Sequence, residues 1–244
     1  MKKLVLAAVA LVLIGAGFYV YTEIEGYPWK RAQIKKDAVR YMQEKYGMDA
    51  RVTKSSFNFK FDTYMAKVYD VRDEERRTIQ VERLPYRNEE GGGRGERLED
   101  NYAVVYWERR TEERLREAFP QIYEYEGLRK IAVTSVHETF PLGEGVGPEK
   151  DESGVAIPRQ PGHSASWNIG LVSEDIPEPF LELLLDAVRR MKELDLEVEL
   201  FVTTLPRKAE AENRQERTKY IQLEHEDLGR IHGVEDLREA IQEF

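Results

Sequence analysis

Residues 28–61, PWKRAQIKKDAVRYMQEKYG followed by MDARVTKSSFNFKF, carry two hydrophobic periods in succession. In the first half Ile34, Ala38, Tyr41, Met42 and Lys45–Tyr46 recur at spacings of three and four, which gathers them on one face of a helix. Pro28 suits the first turn, where its missing N–H is no loss, and Gly47 suits the C-terminal stop. In the second half Phe57-Asn58-Phe59-Lys60-Phe61 alternates strictly, as a half-buried strand does. The three phenylalanines are expected to form a core beneath the helix rather than a recognition stripe. A helix laid on such a strand predicts an α+β fold, with helices packed on antiparallel sheet.

Toward the N-terminus lies an 18-residue uncharged run, Leu4 to Tyr21, behind Met1-Lys2-Lys3. As a helix it would span roughly 27 Å at ~1.5 Å per residue, close to a bilayer core. The small-x-small triplet Ala8-Val9-Ala10 falls inside the run, too early to be cut, so an uncleaved signal anchor is expected and a cleaved signal is the alternative. Lys2 and Lys3 precede the span, whereas Glu23 and Glu25 follow it, which predicts a cytoplasmic N-terminus and an extracytoplasmic bulk. Phe18, Tyr19, Tyr21, Tyr27 and Trp29 suit the outer interface.

Toward the C-terminus Tyr64, Ala66 and Val68 continue the alternation across a turn at Asp62-Thr63, and Thr78 to Leu84 reads as a further strand. Pro85 to Asn101 reads as a polar loop around Gly91-Gly92-Gly93-Arg94-Gly95. Tyr102 to Trp107 reads as a strand, Thr111 to Phe119 as a charged helix, and Arg129 to Phe140 as one more strand. Pro141 to Ser164 is dense in Gly and Pro and marks a break. Beyond it Trp167, Ile169 and Leu171 form a strand, Phe180–Leu194 an amphipathic helix, Leu196–Val202 a strand with Lys219–Leu223 as hairpin partner, and Val234–Phe244 a short helix. The expected organisation is an anchor over 1–26, an N-terminal α+β domain over 27–140, a linker or loop over 141–164, and a C-terminal α+β domain over 165–244.

The short Lys-headed span, Gly26-Tyr27-Pro28-Trp29-Lys30, the helix ending Tyr46-Gly47 and the aromatic strand Phe57-Asn58-Phe59 together resemble the YfjL-like family. That resemblance implies a membrane-anchored protein of Bacillus-type bacteria with an N-terminal and a C-terminal domain, and it supplies no catalytic residues to carry over. The N-terminal unit is also similar in outline to small PepSY-type envelope domains.

Composition removes several function classes. The chain of 244 residues has no cysteine, which excludes disulfide-stapled, Fe–S, lipoprotein and cysteine-dependent chemistry. With 46 acidic and 37 basic residues the net charge is −9, which argues against a nucleic-acid partner. The four histidines, His137, His163, His225 and His232, show no HExxH or zinc-ligand spacing, and His225-Glu226-Asp227 with His232 reads as a solvated turn. No GxSxG elbow accompanies His163-Ser164, and neither Gly91–Gly95 nor Gly143–Gly147 has a phosphate-loop or dinucleotide pattern. Glu197 and Glu199 share a strand face, as acid and base in a glycosidase would, but in so acidic a chain they read as a solvated face. Arg109, Arg110, Arg114 and Arg116 alternate with glutamates, the pattern of locally paired charges.

No catalytic, metal or cofactor residue is therefore assigned. The expected function is a non-catalytic interaction or sensing module of a bacterial envelope, with the lipid bilayer as partner through residues 4–21 and another envelope or membrane protein as a second. A hydrolase acting on a cell-wall or peptide substrate is the alternative.

Overall fold

The computed structural model describes residues 2–87, 94–135, 146–151, 154–158, 165–194, 196, 198–207 and 219–243. They divide into two compact units, residues 1–105 with 141–160, and residues 106–140 with 161–244.

The first unit begins with α1 (Lys2–Glu25), a helix of 24 residues and about 36 Å at ~1.5 Å per residue. From Val9 on its described aliphatic side chains stand free of protein, with Leu11 70% and Leu13 67% exposed. Among the described residues, one helical segment, beginning in α1, is long and apolar enough to cross a membrane. Gly26, at φ 71°, separates α1 from α2 (Pro28–Tyr46). The α2 helix follows the period read from sequence: Ile34, Ala38, Met42 and Tyr46 are buried, Pro28 sits in the first turn, and Gly47 adopts the left-handed cap at φ 71°.

Helix α2 packs on β1 (Ala50–Asn58) and β2 (Thr63–Asp70) of a four-stranded antiparallel meander completed by β3 (Ile79–Arg87) and β4 (Arg94–Asp100). Ala66, Val68, Ile79 and Val81 supply the sheet side of this core. Strand β1 ends earlier than the alternation suggests. The Asn58 side chain accepts from the Lys60 N–H at 3.2 Å and its carbonyl accepts from the Phe61 N–H at 3.3 Å, an Asx-type turn that stops the strand. Asp62 then takes φ 51°. Phe59 and Phe61 are consequently exposed on the tip, and the core expected of all three phenylalanines is corrected for these two.

The stretch read as a loop over 85–101 is also corrected within the described residues, because Arg94–Asp100 pairs with β3 from Arg87↔Arg94 to Val81↔Asp100. Gly95 makes room for the Tyr86 ring across the pair, since a Cβ there would fall 2.5 Å from its Cε1. Helix α3 covers Tyr102–Ala118 without interruption, so the strand expected at Tyr102–Trp107 is helical. The Asp100 carboxylate accepts from the Tyr102 N–H at 2.9 Å, which caps that helix start and outweighs the strand preference of the β-branched and aromatic residues. A small hairpin, β6 (Val146–Lys150) with β7 (Ala156–Pro158), completes the unit and buries Val155 and Ala156.

In the second unit, α4 (Pro120–Tyr123) leads to β5 (Leu128–Ser135), which pairs with β8 (Ala165–Val172) rather than with the first sheet. The five-stranded order is β11-β10-β9-β8-β5, with β9 (Val198–Leu205), β10 (Lys219–Leu223) and β11 (Gln242–Glu243). All pairs are antiparallel except β8 with β9, which run parallel because α5 (Glu178–Glu193) crosses between them. Helix α5 buries Phe180, Leu184, Val188 and Met191 against Trp167, Ile169, Leu200 and Val202. At roughly 1.5–3 kcal/mol per fully buried side chain, this face is the main stabiliser of the unit. Phe119 stacks on Trp167 at 5.3 Å. Two short helices, α6 (His225–Leu228) and α7 (Val234–Glu239), close the chain before β11.

Candidate functional site

The face of the five-stranded sheet turned away from α5 carries a groove of about 540 Å³, within the ordinary range for small-ligand sites. Strand register explains its lining. Lys130 stands across from Gly170, Gly170 from Thr203, and Thr203 from Tyr220. One step along, Ala132 faces Asn168, which faces Phe201, which faces Gln222. Small residues on β5 and β8 thus form a floor, and Phe201 forms an aromatic side, with the Tyr220 ring 5.9 Å behind it outside the lining. Gly170 keeps the floor low: a Cβ there would lie 3.6 Å from the Lys130 carbonyl oxygen, in ordinary contact, so the absence of a side chain creates space without strain.

The polar groups of the groove are ordered. Asn168 donates its amide to Thr134 Oγ1 at 2.9 Å and to the Ser166 carbonyl at 3.0 Å. Beside the groove, on β10, Tyr220 donates its hydroxyl to Gln242 Oε1 at 2.6 Å. Arg129 and Lys130 are the charged members of the lining, beside the hydroxyls of Thr134 and Thr203. Such a surface suits a ligand with carboxylate or other anionic groups, or one rich in hydrogen-bond acceptors.

A second polar constellation lies within the first unit. The Asp100 side chain is 2% exposed and receives Lys45 Nζ at 2.7 Å and the Tyr41 hydroxyl at 2.8 Å on Oδ2, and the Tyr46 hydroxyl at 3.0 Å on Oδ1. Together with the Tyr102 N–H these donors surround both carboxylate oxygens. Lys45 also donates to the Tyr41 hydroxyl at 2.7 Å. Burial, and then the Asp100 charge, push the Tyr41 and Tyr46 hydroxyls far above the ordinary tyrosine value, so both remain proton donors. Chemically this arrangement is a clamp joining α2 to the β4–α3 junction, with every donor directed at one acceptor.

Of the residues weighed in sequence, His137, His163 and Glu197 lie outside the described residues, as do Gly91–Gly93 and Gly143–Gly145. His232 and Gly233 donate their backbone N–H groups to Asp236 Oδ2 at 2.7 and 2.9 Å, and these bonds hold that carboxyl below its usual range. Among the described residues no group of three His, Cys, Asp or Glu is placed to hold a metal ion. Arg109 and Arg116 pair with Glu113 at 2.8 Å and Glu112 at 3.0 Å, one turn apart on α3. Neither the groove nor the clamp was assigned from sequence. The clamp had a partial signal in Tyr41, Lys45 and Tyr46, polar tips on the edge of an apolar helix face. The groove had none, because it arises from register.

Residues 1–87 match the family described as YfjL-like, N-terminal domain. This match encloses the residues on which the resemblance was read. None of the curated proteins matches the chain. A solved structure similar to it is that of a DUF5037 family protein from Ruminococcus gnavus, at 14% identity and a TM-score of 0.41, covering 86% of this chain and 89% of that one.

Proposed function

We propose that the protein is a membrane-anchored, extracytoplasmic interaction or sensing module, non-catalytic, that presents the groove of its C-terminal sheet to a ligand or to an envelope partner. The groove is the observation that carries the binding role. Its two cations, its hydroxyls and its aromatic side serve recognition of an acceptor-rich ligand by contact and charge. The unpaired aliphatic surface of α1 supports the anchor, and Lys2 and Lys3 before it, with Glu23 and Glu25 after it, support the outward orientation.

The test is photocrosslinking in living cells from a reactive residue placed at Thr203 in the full-length protein. The expected result is a discrete adduct that disappears when Gly170→Leu fills the groove floor. Gly170 lies in extended backbone with only ordinary contacts around its Cβ position, so this variant is expected to fold. Equal labelling with and without Gly170→Leu, or no adduct above background, would contradict the assignment.

A further inference from the structure

We propose that the β1–β2 tip, Phe59-Lys60-Phe61, is a second membrane contact, seating its two phenyl rings in the interfacial layer of the leaflet from which α1 emerges. This rests on the anchoring proposed above. Phe59 is 63% and Phe61 70% exposed, on a turn fixed by Asn58 and Asp62 rather than by packing. Apolar rings so displayed are costly in water unless another phase receives them.

Two contacts fix the height of the tip relative to the span. Arg31 donates to the Ser55 carbonyl at 3.2 Å, and a Cβ on Gly26 would fall 2.6 Å from Phe57 Cγ. Advancing two residues along β1, about 7 Å, therefore corresponds to retreating five residues along the helical path, also about 7 Å. Beyond Phe57 the hairpin therefore heads toward α1, with which β1 is in contact, so its tip lies on the span side of Gly26.

The surroundings of this exit have interfacial composition. Tyr27 and Trp29 lie 4.7 Å apart and are 38% and 57% exposed. The Tyr27 N–H donates to the Tyr64 hydroxyl at 2.9 Å, which ties the exit to β2, and Lys30 Nζ lies 5.5 Å from the Tyr64 ring. Lys60 stands between the two phenylalanines in sequence, Lys30 and Arg31 follow on α2, and Arg31 pairs with Glu25 at 3.0 Å. Aromatic rings at headgroup depth with lysines at phosphate height are what a bilayer surface receives. The occupant is thus lipid, and the consequence is a first unit held by two points rather than swivelling on one.

The chain lacks cysteine, so single-cysteine probes are clean. An environment-sensitive fluorophore is placed at Phe59→Cys, at Phe61→Cys, at Glu75→Cys in the β2–β3 turn at the far end of the sheet, and at Leu13→Cys in mid-span. Full-length protein is reconstituted in vesicles of phosphatidylethanolamine and phosphatidylglycerol. The expected result is several-fold stronger quenching at 59 and 61 than at 75 by a lipid bearing its nitroxide just below the headgroup, with protection from aqueous iodide. A probe at Lys60→Cys should become iodide-accessible in the Phe59→Ser/Phe61→Ser background, which removes any pull by the probe itself. Accessibility at 59 and 61 equal to that at 75, with position 13 quenched by deep lipid nitroxide, would overturn the inference and leave the anchor standing. Absence of lipid quenching at 13 would remove the anchor and the inference together. Protection at 59 and 61 from both quenchers would mean that protein, such as a second copy, covers the tip, and would overturn it as well.

Discussion

Replacing Asp100 by alanine is expected to destabilise the first unit by about 3–5 kcal/mol, as loss of one partner from a buried charged network does. The substitution removes one acceptor and strands several donors at once: Lys45 Nζ, the Tyr41 and Tyr46 hydroxyls, and the Tyr102 N–H. Lys45 is only 16% exposed, so water restores little of its solvation. The α3 cap is lost in the same step, which adds to the cost. By contrast Lys45→Met leaves the carboxylate with its two tyrosines and the backbone N–H, and about 1–2 kcal/mol is expected. Hydrogen exchange of the α2 and β1–β3 amides in the full-length protein reads both, the larger loss appearing as exchange faster by roughly two to three and a half orders of magnitude. A change below about 1 kcal/mol on Asp100→Ala would show that the clamp does not hold the unit together.

Alkali should act on the same clamp. An unfolded tyrosine ionises near pH 10, whereas Tyr41 and Tyr46 are held protonated well above that by burial and then by the Asp100 charge. Below pH about 10 both states keep the proton and the stabilisation is whole. Above it only the unfolded chain releases the proton, so stability falls as pH rises, by about 1.4 kcal/mol per pH unit for each tyrosine. With two such residues the first unit is expected to lose close to 3 kcal/mol per unit of pH, and Tyr46→Phe should halve the slope. In the second unit Tyr123, pushed up to about 12 chiefly by burial, should give one tyrosine's slope that levels off near pH 12. Denaturant titrations across this range, followed by amide exchange in each unit, provide the check. A first-unit slope unchanged by Tyr46→Phe would contradict the account.

Where the sequence pattern carries one dominant cause, fold and sequence agree. The α2 face from Ile34 to Tyr46, its Pro28 start and Gly47 stop are set by periodicity and backbone chemistry alone. The α5 face from Phe180 to Met191 is legible for the same reason. The failures occur where a local preference is overridden by a distant partner. Tyr102–Trp107 has strand-forming residues, but the Asp100 cap starts a helix there. Arg94–Asp100 lacks apolar alternation and becomes a strand through pairing with β3. The parallel β8–β9 pair departs from the wholly antiparallel sheet expected of this unit, because the 16-residue helix between the two strands is long enough for a crossover that returns parallel. Phe59 and Phe61 alternate as strand residues do, yet one Asx turn turns them outward. The groove depends on which residues of β5, β8 and β9 fall side by side, information that no single segment contains.

The most direct test of a module anchored by α1 and displayed outside the cytoplasm is thiol labelling of single-cysteine variants of the full-length protein in intact bacterial cells. With a membrane-impermeant maleimide, Glu75→Cys and Asp186→Cys, one in each unit, are expected to label without permeabilisation and to remain in the membrane fraction. Lys3→Cys is expected to label only after permeabilisation. Labelling of positions 75 and 186 only in permeabilised cells, or their recovery in a soluble fraction, would contradict the anchored, outward-facing account.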